Sequence, residues 1–141
     1  SRNVEMNSSF VIDTNAYSAF KRGHKPALEI IKKADNIVFS PIVLAELKAG
    51  FSLGNREKTN LNELYSFLAI SNVLLLSINE STSDFYRNIY LQLKSNGTPI
   101  PTNDIWIASI ALQLELPIFT YDKHFLQIDS LFVISDPKDL A

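Results

Sequence analysis

Cysteine is absent and histidine occurs only twice, at His24 and His124. Disulfides and thiolate metal sites are therefore excluded, two imidazoles are too few for a histidine-rich zinc site, and any metal is expected to be held by oxygen. No apolar run approaches the roughly 18 residues needed to span a bilayer, and the N-terminus lacks the basic-then-apolar pattern of a secretory signal, so a cytoplasmic protein without a membrane segment is expected. Glycine is scarce, at 4 residues, as are methionine and tryptophan, at one each. Ser1 to Glu5 precede that methionine, Met6, and read as an expression remnant or frayed tail, which leaves residues 6–141 as one expected domain. Positive charge is also in short supply. Thirteen Lys/Arg against 15 Asp/Glu give a net charge of −2, which argues against the broad basic surface of a duplex-binding protein. The basic residues that exist cluster at Lys21, Arg22, Lys25, Lys32 and Lys33, either as a solvated helix face or as a phosphate-facing rim.

What the chain has is apolar mass, 46% of its residues, arranged in short runs that alternate with helical patterns. Phe10-Val11-Ile12 is an unalternated β-branched and aromatic run of the kind buried on both faces of a sheet, and it ends on Asp13-Thr14-Asn15. Similar runs follow at Ile37 to Phe39, Val73 to Ile78 (also expected to be buried on both sides), Ile118 to Thr120 and, at an edge, Leu131 to Ile134. Helices are expected at Thr14 to Arg22, stopped by Gly23; at Ala27 to Ala34; and at Ile42 to Gly50, with Ser40 as cap and Pro41 in the first turn. Apolar spacing at Leu61, Leu64, Tyr65 and Leu68 marks an amphipathic helix within Asn55 to Ser71, with Phe67 beside the stripe. A longer helix runs from Ser81 or Thr82 to Ser95 and ends at Asn96-Gly97. The segment Asp104 to Leu116, apolar almost all round, reads as a helix buried beneath a site. Strands alternating with helices imply an α/β fold with a parallel sheet.

In open parallel sheets ligands bind at the carboxyl edge of the strands. Four acids stand where they can reach it: Asp13 after the first strand, Glu46 on the helix after the second, Asp104 at a helix start and Asp122 after the strand of Phe119. Each has an ordinary explanation alone, as a helix cap, a turn residue or a solvated position. Glu46 fits that explanation worst, because Val43, Leu44 and Leu47 surround it. Four carboxylates together raise one another's pKa and resist ionisation unless a divalent cation neutralises them. An all-oxygen set suits Mg²⁺ or Mn²⁺, and the chemistry such sites perform is metal-assisted phosphoryl transfer.

These pieces carry a family resemblance. Val11-Ile12-Asp13-Thr14-Asn15, Ser40-Pro41-Ile42-Val43-Leu44-Ala45-Glu46-Leu47-Lys48-Ala49-Gly50, Pro101-Thr102-Asn103-Asp104-Ile105-Trp106-Ile107-Ala108 and Phe119-Thr120-Tyr121-Asp122-Lys123-His124-Phe125, in that order, resemble the PIN-domain ribonucleases and, among them, the VapC-type toxins of toxin-antitoxin pairs. The resemblance implies a three-layer α/β/α fold around a mainly parallel sheet of about four or five strands. It implies that Asp13, Glu46, Asp104 and Asp122 bind Mg²⁺ or Mn²⁺, with Thr14, Asn15, Asn103 and Thr120 as supporting or substrate-contacting groups, and that the activity is endonucleolytic cleavage of RNA. It also implies a homodimer and a cognate antitoxin, whose candidate contacts Phe51, Leu53, Leu61 and Tyr65 are equally compatible with core packing. Many relatives read Asp-x-Asp-Phe where this chain has Asp122-Lys123-His124-Phe125. His124 therefore stands in the place of a possible fifth acid, either touching RNA phosphate or lying in an exposed turn. The competing readings are a non-catalytic Mg²⁺-binding signalling module of receiver type and a silent RNA-binding PIN module. A receiver lacks support, because Val73 to Ile78 is followed by Asn79-Glu80 rather than by an acceptor aspartate.

Overall fold

The chain adopts, in a computed structural model that describes residues 8–140, the order β1 (Phe10–Ile12), α1 (Thr14–Lys21), α2 (Lys25–Lys33), β2 (Ile37–Phe39), α3 (Pro41–Leu53), α4 (Glu57–Leu68), β3 (Val73–Leu75), α5 (Thr82–Asn96), α6 (Thr102–Leu114), β4 (Ile118–Phe119) and β5 (Val133–Ile134). Two 3₁₀ turns, Lys123–Gln127 and Pro137–Asp139, flank β5. The expected tail and Met6 lie outside the described residues. Every strand pairing is parallel and the order is β3-β2-β1-β4-β5, so the sheet is wholly rather than mainly parallel. Right-handed crossovers place α1 to α4 on one face and α5 and α6 on the other. The packing agrees: α1 lies against α2 and α3, α3 against α4, and α5 against α6. The result is a three-layer α/β/α fold.

β1 is the centre of this arrangement. The chain leaves it toward β2 on one side, and β4 returns beside it on the other, so the strand order reverses at β1 and opens a crevice at its carboxyl end. Its three residues are fully buried, as are those of β4, and Phe10 meets Phe119 edge to face at 5.4 Å. α6 is buried along Ile105, Ile107, Ala108, Ile110 and Ala111 and packs on β1, which is why its sequence shows almost no polar face. Among the described residues no helix is long and apolar enough to cross a membrane.

Several boundaries differ from the sequence expectation. α3 passes through Gly50 to Leu53 and is capped at Gly54, because nothing at Gly50 forces a left-handed backbone. Gly23 and Gly97, at φ of 82° and 69°, do terminate their helices, and at the end of α6 Glu115 takes the left-handed position that glycine usually fills. Val73 to Ile78 is not a doubly buried strand: β3 lies at the sheet edge, only Val73 is buried, and Leu75 is 52% exposed. An apolar run has the same composition in either position, and the chain order alone decides which strand is outermost.

On α4 the buried pair is Leu64 and Phe67, whereas Tyr65 is 51% exposed. Phe67 closes a group of edge-to-face and tilted rings with Tyr17 (5.6 Å), Phe39 (5.8 Å) and Phe20 (5.3 Å). Phe67→Ala is therefore expected to cost about 3–5 kcal/mol of unfolding free energy, while Tyr65→Ala costs under about 1 kcal/mol. Urea denaturation of both variants checks this; equal losses would contradict the packing described.

Candidate functional site

Asp13 is placed by the end of β1. Its backbone is extended, its side chain accepts from the Thr14 N–H at 2.8 Å, and it thereby caps α1. Its other oxygen accepts from the Thr120 hydroxyl at 2.7 Å, a bond between groups 107 residues apart that the pairing of β1 with β4 makes possible. Asn15 completes the link, since its Oδ1 accepts from the Tyr121 N–H at 2.9 Å. The Thr120 hydroxyl oxygen in turn accepts from the Asp122 N–H at 3.0 Å.

Glu46 projects from α3 toward the same edge. The Thr14 hydroxyl donates to one of its oxygens and the Asn103 amide to the other at 3.0 Å. This explains how a carboxylate persists on a largely apolar helix: it has two donors, one from α1 and one from α6. Asp104, in the first turn of α6, is nearly buried. Asp122 accepts from the His124 N–H at 2.9 Å and caps the 3₁₀ turn Lys123–Gln127, which the fully buried Phe125 anchors. Capping and site placement thus coincide in Asp13 and Asp122.

The four acids form one electrostatic group. Burial pushes the Asp13 carboxyl from its ordinary 3.8 up to about 6; the Thr120 and Thr14 hydrogen bonds pull the other way, and the charges of Asp104 and Glu46 add to the rise. Asp104 is raised mainly by burial as well, with Asp122 and Glu46 contributing repulsion and His124 opposing it. His124 is the residue whose position the sequence left open. Its Nδ1 lies 3.0 Å from Asp104 Oδ2 and 3.2 Å from Asp122 Oδ1, so it bridges the two acids. Asp104, Asp122 and His124 each turn one ligand-type atom into a space where these atoms are within 4.8 Å of one another. The only signal for this in the sequence is the substitution of His for a motif acid.

The basic cluster is divided between paired and unpaired cations. Lys21 pairs with Glu63 at 3.3 Å and Lys33 with Glu29 at 2.7 Å, while Arg22, Lys25 and Lys32 are exposed and form no ion pair among the described residues. Of the apolar candidates for a partner surface, Phe51 and Leu61 are half-buried, but Leu53 at the end of α3 is 91% exposed and Tyr65 faces solvent beneath Lys48.

Comparison with known proteins adds a lineage to this geometry. The sequence profile of the PIN domain matches residues 10–131. Ribonuclease VapC2 of Rickettsia felis is 29% identical over 129 residues, spanning 88% of this chain and 95% of that protein. Ribonuclease VapC5 of Mycobacterium tuberculosis is 24% identical over 119 residues, 84% and 87% of the two chains. Among solved structures, VapBC2 from Rickettsia felis bound to a DNA fragment from its promoter superimposes with a TM-score of 0.77 at 27% identity, covering 89% of this chain and 97% of the matched one.

Asp13 generates a prediction about pH. Its folded-state pKa, about 6, lies above the ordinary 3.8, so its contribution to stability is fully present below 3.8 and is lost as pH rises through 6. Asp13→Asn keeps a competent helix cap without the charge. In chelator at pH 8 it should therefore be more stable than the parent by on the order of 2 kcal/mol, and the two should converge near pH 4. Thermal melts across that range decide it; a constant difference at all pH values would contradict the buried-charge account.

Proposed function

Since the chain belongs to the PIN-domain family, we propose that it is a divalent-metal-dependent endoribonuclease that hydrolyses RNA phosphodiester bonds and acts as the toxin of a type II toxin-antitoxin pair. The observation that supports this most directly is the convergence of Asp13, Glu46, Asp104 and Asp122 on the crevice at the end of β1, with Asp13 and Asp104 both pushed toward protonation, first by burial and then by neighbouring carboxylates: Asp104 and Glu46 act on Asp13, and Asp122 and Glu46 on Asp104. A cluster that resists ionisation is a cluster that gains from a cation. Mg²⁺ or Mn²⁺ fits the carboxylate donors, and Asp13, Glu46, Asp104 and Asp122 are its proposed ligands. When bound, such an ion polarises the scissile phosphate and lowers the pKa of a coordinated water.

The remaining roles belong to the protein's own groups. Thr120 and the Thr14 N–H hold the two Asp13 oxygens and so fix the orientation of the carboxylate. Thr14 and Asn103 do the same for Glu46, and Asn15 ties the loop of Tyr121 and Asp122 to the start of α1. Fixing ligands in this way removes the reorganisation that would otherwise accompany reaction. Arg22, Lys25 and Lys32 are available to RNA phosphates without first breaking an ion pair. The proposed substrate places the protein in the cytoplasm.

For partners, exposed Leu53 and Tyr65 support an antitoxin segment lying along the end of α3 and the outer side of α4, with Phe51 and Leu61 beneath it. Homodimerisation, which the family resemblance implies, completes the reading. The receiver alternative falls with the family assignment, and a silent PIN module differs from the nuclease in one measurable respect, cleavage.

Purified protein should cleave single-stranded RNA with Mn²⁺ or Mg²⁺ and not in chelator, and Asp13→Asn or Asp104→Asn should reduce the rate by about a hundredfold or more. Undiminished cleavage in both variants would sink this site. Glu46→Gln should weaken Mn²⁺ binding about tenfold while the fold persists, read by calorimetric titration and thermal melting together. Leu53→Glu should leave RNA cleavage intact and reduce its neutralisation by co-expressed antitoxin; full neutralisation would remove α3 from the interface.

A further inference from the structure

We propose that His124 is itself a ligand of the metal centre, giving the site one nitrogen donor among its oxygens and tilting its preference from Mg²⁺ toward Mn²⁺ and the later first-row ions. This rests on the metal-dependent reading above and specifies it. The Nδ1 atom faces two acids at once, 3.0 Å from Asp104 Oδ2 and 3.2 Å from Asp122 Oδ1. Neighbouring donors around an octahedral ion with bonds of about 2.1 Å are separated by about 3 Å, so the nitrogen stands at the spacing of an adjacent ligand from each of the two oxygens. Asp104 and Asp122 are already the proposed oxygen ligands, and the imidazole nitrogen belongs to the same small group of convergent donors.

The local structure holds the ring in that place. The His124 N–H donates to the same Asp122 oxygen at 2.9 Å, so backbone and ring of His124 both address one carboxylate. Phe125, fully buried, pins the following residue, and Asp122 caps the turn that carries both. The backbone bond is the cap of the turn and is open to other residues at this position; what the histidine adds is a ring nitrogen set between two carboxylates. Imidazole is a better donor than carboxylate or water for the later divalent metals, whereas Mg²⁺ is bound through hard oxygen, so one nitrogen alters relative affinities. Sequence composition pointed to oxygen-only ligation because two histidines are few, yet a single one suffices when the fold delivers it between two acids.

Mn²⁺ bound to the full-length protein provides the test. Electron spin-echo spectroscopy of the Mn²⁺ complex should show coupling to a histidine nitrogen that survives His24→Gln and disappears in His124→Asp. Titration calorimetry of the same proteins with Mn²⁺ and Mg²⁺ separately should show His124→Asp narrowing the Mn²⁺-over-Mg²⁺ preference by about tenfold or more. Mn²⁺ binding at the four-acid site with no nitrogen coupling, or with the preference unchanged in His124→Asp, overturns the proposal and leaves the nuclease reading intact. If Mn²⁺ and Mg²⁺ fail to bind the parent protein at all, the metal-dependent reading falls with it.

Discussion

Like charge forced into one place is the constraint on which this molecule turns. Asp13, Glu46, Asp104 and Asp122 come to one edge of a sheet with a largely apolar interior, and burial, with repulsion from Asp104 and Glu46, lifts Asp13 to about 6 against the pull of its hydrogen bonds. Such a group is tolerable because donors face it: Thr14 and Thr120 serve Asp13, Thr14 and Asn103 serve Glu46, and the His124 ring lies between Asp104 and Asp122. A satisfied polar network in a low-dielectric place is rigid, and an unsatisfied one would be ruinous. The site is therefore costly to the fold and well ordered for the same reason.

The topology concentrates that cost at a single point. Because the order β3-β2-β1-β4-β5 reverses direction at β1, the helices that follow β1 and precede β4 diverge to opposite faces and leave a crevice above Asp13. α3 and α6, from opposite layers, approach each other across that crevice, where Asn103 reaches Glu46. The aromatic packing of Phe10 on Phe119 beneath, and of Phe67 among Tyr17, Phe20 and Phe39 beside it, holds the two sides at fixed separation. Interiors packed this closely do not deform continuously, so the carboxylates cannot drift apart to relieve their repulsion.

Much of this was legible from residue order. The apolar runs at Phe10, Ile37 and Ile118, the Ser40-Pro41 start of α3, the Gly97 stop of α5 and the identities of the four acids all depend on a few adjacent residues and their backbone chemistry. The end of α3, the exposure of Leu75 and the exchange of Tyr65 for Phe67 in the core were not legible in that way, since an apolar side chain carries no mark of which neighbour will cover it. His124 is the sharpest case: in sequence it is a turn histidine with an unusual place in a motif, and in space it joins two acids.

Local chemistry, then, established the elements, their caps and the list of acids, because a cap or a buried run is a matter of contacts within a turn or two. The convergence of those acids, the edge position of β3 and the bridging role of His124 arose from folding alone. Each depends on bringing together groups distant in sequence, as Thr120 and Asp13 are by 107 residues, through the pairing of strands whose order no short segment encodes.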